Sequence, residues 1–339
     1  MRSLARWFVL ACALVALASA LALRFAGNAS VWVEVGRFVP YPVVVAPAGL
    51  AVTLSWLLGR RWQWLALATF ALIATQVMGL ATGRAQSGTG RFTVMTYNIK
   101  SYLAVRRADG LARLAWEIAR HDPDVLVMQD AQALTSARAA PLLVALAGRQ
   151  IHREGQYLVA SRFPVDGCTA IDMSPPGQEE TFLRCTLEIR NRPVALFAVH
   201  FASPRDDTFG TGPERLLDRA GWEANLADRL LQARAVATAV AAVRGRVIVA
   251  GDLNAAEDSP VVRQLLDAGL RDAFSSAAVG YGYTYGHALL GASFLRIDHI
   301  LFGGGIGARS CEVGDSAPSE HRPVIAELLV DADRRGDGG

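Results

Sequence analysis

Lysine is nearly missing from this chain. Lys100 stands alone among 34 basic residues, and the other 33 are arginine. We read that skew as coding bias rather than as phosphate chemistry. A basic domain is missing as well. The formal charge is +3, yet residues 1–83 hold six Arg and one Glu, which leaves 28 basic against 30 acidic side chains beyond them. A general polyanion binder carries a clear basic excess, so that class is disfavoured. Cysteine is scarce: Cys12, Cys168, Cys185 and Cys311 follow no CxxC spacing, which removes the common zinc arrangements. Cys168 and Cys185 suit either a disulfide in an oxidising compartment or two free thiols. No internal repeat occurs, and no Ser or Cys nucleophile motif stands out.

Long apolar runs, by contrast, open the chain. Trp7 to Leu23 is uncharged between Arg6 and Arg24, and Phe38 to Leu58 and Trp62 to Thr82 are uncharged runs of 21 residues each. About 20 apolar residues cross a bilayer, so residues 1–83 read as an anchor of about three transmembrane helices. Trp32, Trp56, Trp62 and Trp64 fall near the expected interfaces, where amphipathic rings are favoured. "ASA" at Ala18 to Ala20 offers the rival reading of a cleaved signal peptide. Arg2, Arg6, Arg60 and Arg61 set the orientation by the positive-inside rule and put the following domain outside the cytoplasm. The expected location is therefore the cell membrane, multi-pass, with an extracytoplasmic domain. Residues 84–91 read as a flexible linker, 92–330 as a catalytic domain and 331–339 as a disordered tail.

From Arg91 onward, short β-rich runs alternate with amphipathic segments. "RFTVMTYNI", "DVLVMQ", "QYLVASRFP", "FLRCTLEI", "VALFAVHF", "RVIVAGDLN", "FLRIDHILF" and "RPVIAELLV" read as strands. "ADGLARLAWEIARHD" and Pro213 to Val243 read as helices, the latter with Leu216, Leu217, Leu226, Leu230 and Leu231 inward. The pattern implies an α/β fold of packed sheets flanked by helices. Polar residues collect where the strands end: Asn98, Asp130, His200, Asp252 with Asn254, Asp298 and His321. One such residue is an ordinary strand end. Six strand ends offering oxygen and imidazole groups suit a hard cation, Mg²⁺ or Mn²⁺, beside acid–base chemistry. That combination points to metal-assisted hydrolysis.

In their order, "TYNI", "VLVMQD", "AVHFASP", "GDLNA", "RIDHILF" and "SEHRPV" resemble the motifs of the endonuclease/exonuclease/phosphatase (DNase I-like) superfamily. The resemblance implies a four-layer α/β sandwich with two central sheets and a phosphoric ester hydrolase. It implies Asn98, Asp130 and Glu320 at the metal. His200 then contacts the phosphate and leaving group, Asp252 and Asn254 orient nucleophile and phosphate, and Asp298 pairs with His321, which acts as general base on water or grips the phosphate. His299 follows Asp298, so strand alternation turns it to the opposite face as a structural histidine. Arg296 shares Asp298's face and reads either as a phosphate contact or as a sheet-bound arginine. His121, His152 and His287 receive no role.

Two residues depart from the family pattern. Asp130 stands where Glu is usual, and Glu320 stands where Asp is usual in Ser-Asp-His. The two changes are opposite in length, and the expectation is that they compensate. The three-run anchor also resembles that of a bacterial subgroup of membrane phosphatases acting on polyprenyl-pyrophosphate carriers. With the neutral domain, it favours a lipid-linked phosphate or pyrophosphate as substrate. Nucleic acid is the alternative substrate, gripped by Arg205, Arg215 and Arg219, and a non-catalytic binding module is the alternative class.

Overall fold

The computed structural model describes residues 1–25, 30–134, 139–204, 218–286, 291–315 and 319–332. Of the three apolar runs, only the first forms a long straight helix, α1 (Arg2–Phe25). The second is preceded by α2 (Val31–Arg37) and becomes α3 (Tyr41–Ser55), the two bent by 80°. Pro40 and Pro42 account for the bend, because proline starts a helix but cannot continue one. The third run forms α4 (Arg60–Leu72), a π-helical turn (Ile73–Val77) and then β1 (Ala81–Thr82). At 1.5 Å per residue, α3 and α4 are about 20–23 Å long, short of a hydrocarbon core of about 30 Å. Among the described residues one helix is therefore long and apolar enough to cross a membrane, or two if the bent pair counts as one span, instead of three. Small residues at the contacts, Ala16, Ala48, Ala51 and Ala66, let α1, α3 and α4 pack closely.

Beyond the helices run β2 (Gly88–Asn98), α5 (Ser101–Ala104), α6 (Gly110–His121), β3 (Val125–Gln129), α7 (Ala140–Ala145), β4 (Gln150–Glu154) and β5 (Tyr157–Ser161). Then come β6 (Val165–Asp172), β7 (Thr181–Glu188), β8 (Pro193–His200), α8 (Arg219–Ala241), β9 (Arg246–Asp252), α9 (Pro260–Asp267), β10 (Arg271–Asp272) and α10 (Ala273–Ala277). The chain closes with β11 (Val279–Gly280), β12 (Asp298–Gly303), β13 (Gly307–Val313) and β14 (Val324–Ala332). One six-stranded sheet has the order β13-β14-β2-β3-β5-β4 and the other β10-β12-β9-β8-β7-β6. Each is mixed, with one parallel pair: β2 with β3, and β8 with β9.

Strand alternation assigns the layers. Phe92 and Val94 of β2, Val125 and Val127 of β3, Leu196 and Ala198 of β8, Ile248 and Ala250 of β9, and Ile300 and Phe302 of β12 share one core between the sheets. Their alternates face outward. Met95, Leu126 and Met128 pack on Leu114 and Ile118 of α6, while Phe197, Val249 and Leu301 pack on α8 and α9. The result is a four-layer helix–sheet–sheet–helix sandwich.

The segment expected as a tether lies largely within this fold. Gly88 to Arg91 already run in β2, and Gln86 is buried with its side chain accepting from the Ala308 amide at 2.8 Å. Thr82 pairs with Val279. At the other end, β14 continues through Ala332, and the rest of the tail lies outside the described residues. Helix α8 packs Leu226 and Leu230 against the core as expected, Leu216 and Leu217 lie outside the described residues, and the rest of its buried face is more polar than expected. Its buried face carries Trp222, Asn225, Arg229, Ala233 and Val236, and Leu231 is exposed. A buried partner explains the arginine: Arg229 Nη1 meets Glu34 Oε1 of α2 at 2.9 Å, both side chains fully buried.

Candidate active site

The same alternation that builds the inner core aims four polar side chains at one rim. Asn98 follows Phe92, Val94 and Thr96 along β2, His200 follows Ala198, Asp252 follows Ala250, and Asp298 precedes Ile300. Register brings them together: His200 pairs with Asp252 across the parallel ladder, and Asp298 pairs with Asp252 across the antiparallel one. Both parallel pairs end here, at the carboxyl ends of their strands, where open α/β sheets place ligand sites. Gly251 makes the approach feasible. A Cβ there would lie 1.8 Å from the Val199 carbonyl oxygen, so the "GDLN" glycine is needed for close contact between β9 and β8.

Asp252 is the hub. Its Oδ2 accepts from Asn98 Nδ2 at 3.0 Å and lies 3.6 Å from His200 Nε2 and 3.7 Å from His321 Nε2. Its Oδ1 accepts from the Asn254 backbone N–H at 2.9 Å. Asn254 itself adopts a left-handed conformation, φ 47°, and donates one amide hydrogen to the Phe201 carbonyl at 2.8 Å. Asn tolerates that region better than most residues, which suits the tight turn after the strand.

The Asp298–His321 pair forms as expected. Asp298 Oδ2 lies 2.9 Å from His321 Nδ1, both residues are buried, and the Tyr285 ring sits 4.8 Å from the imidazole. Burial alone would pull the His321 imidazole down, but Asp298 and Asp252 outweigh it and hold it above its ordinary value. The loop bearing His321 is tied to β2: Ser319 Oγ donates to the Asn98 carbonyl at 2.6 Å and accepts from the His321 amide at 3.1 Å. Glu320 lies half-buried between these two anchored residues.

His200 is held from its far side. Its Nδ1 contacts Gln156 Oε1 at 2.5 Å, and Asp130 Oδ1 is 3.9 Å away. Asp130 turns the chain after β3 with φ 53°, and its Oδ2 pairs with Lys100 Nζ at 2.9 Å. Burial would raise the Asp130 carboxyl, but His200 and Lys100 outweigh it and hold it below the usual range. Burial likewise works against the Lys100 ammonium, yet Asp130 and Asp252 raise its pKa above the ordinary lysine value.

All eight predicted site residues therefore lie at or beside one rim, with Asn98, Asp130, His200, Asp252, Asp298 and His321 joined by direct contacts. His299 is structural: Nδ1 meets Asp272 at 2.8 Å and Nε2 the Ala255 carbonyl at 2.9 Å. Arg296 is sheet-bound, paired with Asp272 and Glu257. Arg219 is exposed and paired with Glu223 at 2.7 Å, while Arg205, Arg215 and His287 lie outside the described residues. Lys100, Gln156 and Tyr285 were missed. Lys100 alone left a signal, as the one lysine, two residues past Asn98.

The donor set fits a divalent cation. Asp252, Asp298 and His321 bring three ligand atoms within 4.8 Å of one another, and Asp298 Oδ1 is buried without a hydrogen-bond partner among the described residues. Three carboxylates, Asp130, Asp252 and Asp298, face one ammonium there, which leaves negative charge to be balanced.

The fold recurs in solved structures. A Bacteroides vulgatus endonuclease/exonuclease/phosphatase aligns at TM-score 0.54 with 17% identity, over 71% of this chain and 99% of that one. Truncated Caenorhabditis elegans TDP2 aligns at 0.52 with 20% identity, over 70% and 97%. D. rerio TDP2 complexed with single strand DNA product aligns at 0.53 with 16% identity, over 70% and 98%. No curated protein matches the chain in sequence. The model of the Endonuclease/Exonuclease/phosphatase family matches residues 95–321, from the middle of β2 through His321. The chain belongs to that family, whose members are phosphoester hydrolases of DNase I-like fold.

Proposed function

We propose that this protein is a membrane-anchored, Mg²⁺- or Mn²⁺-dependent phosphoesterase that hydrolyses a lipid-linked phosphate or pyrophosphate outside the cytoplasm. One observation carries the chemistry: the buried Asp298–His321 pair faces Asp252, Asn98 and His200 within hydrogen-bonding to near-contact distance. Asp298 fixes the imidazole tautomer and stabilises its protonated form, so His321 Nε2 is the atom that takes a proton from the attacking water. Asp252 orients that water, and Asn254 meets the phosphate through its remaining amide hydrogen without adding charge. His200, set by Gln156, meets the leaving oxygen. Asn98, Glu320 and the neighbouring carboxylates would hold the divalent cation, which supplies neutralisation of the non-bridging oxygens.

The N-terminal region supports the choice of substrate. Leu14, Leu17, Trp64 and Phe70 turn large apolar side chains outward from the α1–α3–α4 group, the exposure expected of a surface in lipid. Where these helices meet the sandwich, a cavity of about 380 Å³ is lined by Leu23, Val44 and Met78 on one side and Tyr283, Phe294 and Arg296 on the other. Its polar lining includes the Arg37–Asp258 and Arg296–Glu257 ion pairs, so the cavity offers an amphiphile both an apolar wall and a polar one. With Arg2 and Arg6 inside, a single crossing by α1 leaves the domain outside. A Cys168–Cys185 disulfide agrees with an oxidising compartment.

A nuclease is the second reading, favoured by the fold shared with D. rerio TDP2 complexed with single strand DNA product. A substrate panel on the full chain separates the two: undecaprenyl pyrophosphate, phospholipid, plasmid DNA and single-stranded DNA, each with Mg²⁺ or Mn²⁺. Lipid turnover above DNA cleavage supports the proposal. DNA cleavage above lipid turnover rejects it.

A further inference from the structure

Lys100 is the one lysine in a chain of 34 cationic side chains, and it lies inside the site. Its position is built, not incidental. The residue adopts φ 42° in the left-handed region, and its backbone N–H donates to Asn98 Oδ1 at 3.2 Å. Its side chain is only 16% exposed, and its Nζ reaches Asp130 Oδ2 at 2.9 Å. Asp130 in turn turns away from β3 in the same unusual conformation, φ 53°. Two adjacent loops thus take left-handed backbones and bring one ammonium to one carboxylate. A non-Gly residue in that region persists where its surroundings impose it.

We propose that Lys100 is a resident cation of the active site: its ammonium takes the place beside Asp130 that a divalent ion would otherwise take, and it binds a non-bridging oxygen of the substrate phosphate. Three observations converge on this. An aspartate ends one methylene sooner than a glutamate, about 1.5 Å, which leaves room for an ammonium between it and the site's centre. Asp130 Oδ2 faces Nζ at 2.9 Å as an ion pair, so a divalent ion bound directly there would have to displace the ammonium. An ammonium carries three donors. The ion pair anchors its charge beside Asp130 and leaves N–H groups for phosphate oxygens, in the way lysine serves as a point charge in other phosphate sites. Asp130 is then the ammonium's positioning partner, and the divalent ion is left to Asn98, Asp252, Asp298 and Glu320. The inference deepens the phosphoesterase reading and rests on it for the identity of the bound group.

The experiment measures binding, so it stands apart from turnover. Mn²⁺ alone and inorganic phosphate alone are titrated into the full-length protein in detergent, followed by electron paramagnetic resonance and calorimetry. The proteins are wild type, Lys100→Met, Lys100→Arg and Asp130→Asn, each checked for a native melting transition. Phosphate affinity should fall about 10- to 100-fold in Lys100→Met, the loss of one charge-assisted hydrogen bond, and recover in part in Lys100→Arg. Mn²⁺ affinity should rise about tenfold or more in Lys100→Met, because Asp130 is released, and stay within about twofold of wild type in Asp130→Asn. Unchanged phosphate affinity in Lys100→Met overturns the proposal. So does a tenfold loss of Mn²⁺ affinity in Asp130→Asn, which would make Asp130 a metal ligand. If Lys100→Met does not fold, Lys100→Gln takes its place with the same expected loss of phosphate affinity and gain of Mn²⁺ affinity; unchanged phosphate affinity in it, or a tenfold loss of Mn²⁺ affinity in Asp130→Asn, rejects the proposal. If the affinities shift as expected while no phosphoester is turned over, the functional reading fails and Lys100's role stands.

Discussion

At Asp252 a single oxygen serves Asn98, His200 and His321, and the two sheets meet around it. Residues that bring that oxygen into place without touching substrate have the sharpest structural consequences. Gly251→Ala would set a methyl group against the Val199 carbonyl, a backbone atom that cannot swing aside. Overpacking of this kind costs about 1–3 kcal/mol, and because it bends β9 from β8 it should lower kcat as well as the melting temperature. Circular dichroism melts beside steady-state kinetics check both. A buried acid gives a second test at this scale. Burial would raise the Asp272 carboxyl, yet Arg296 and His299 outweigh it and hold it well below the usual range. A carboxyl with a folded pKa below its unfolded value, about 3.9, stabilises fully above that value and loses the contribution as pH falls beneath it. Thermal stability should therefore drop between about pH 4 and pH 2, and Asp272→Asn, already weaker at pH 7, should show a flatter profile there.

Among the elements, α2 carries more than its seven residues suggest. Glu34 pairs with Arg229 at 2.9 Å and with Arg37 at 2.9 Å, and Ser259 Oγ donates to it at 3.2 Å. Arg229 also donates to the backbone carbonyl of Asn254 itself at 2.8 Å, the residue whose side-chain amide is proposed to meet the phosphate. The N-terminal segment is thus fastened to the loop that follows β9. Glu34→Ala would strand a buried guanidinium, a loss of about 3–5 kcal/mol. The same variant should disorder Asn254 and depress kcat more than KM, measured on the full chain. A piece beginning at Gly90 lacks α2 and should show the same defect.

The legibility of the sequence was uneven for physical reasons that particular elements make plain. Strands with period-two alternation announced themselves, and so did the residues at their ends, because the pattern that fills the inner core also aims Asn98, His200, Asp252 and Asp298. His299 was placed on the opposite face by that logic. Run length was a poorer guide at the N-terminus, where Pro40 and Pro42 start α3 at a sharp angle to the preceding α2 and leave it too short to span a bilayer alone. Leu226 and Leu230 mark the inner side of α8, but Arg229 beside them escapes the apolar pattern because it is buried only through a partner 195 residues away. Gln156 left no pattern at all: its contact to His200 spans 44 residues and belongs to no motif.

For the whole molecule, the disulfide and the active site make separate demands. Cys168 and Cys185 join β6, the edge strand, to β7, far along the sheet order from β12. Closing a loop of this length is worth about 3 kcal/mol, and for a domain of this size that shifts the melting temperature by roughly 6–12 °C. Reduction with dithiothreitol should lower the melt by that amount while activity at 25 °C stays within about twofold, because β6 supplies no site residue. The central claim is that the rim around Asp252 hydrolyses phosphoesters with His321 as base. It is tested most directly by following p-nitrophenolate release from bis-p-nitrophenyl phosphate by the full chain in detergent with Mn²⁺, wild type beside His321→Ala. The account predicts hydrolysis by wild type and a fall of at least about 100-fold in kcat for the variant at unchanged fold. Equal rates in the two proteins, or a wild type that hydrolyses no phosphoester at all, would contradict it.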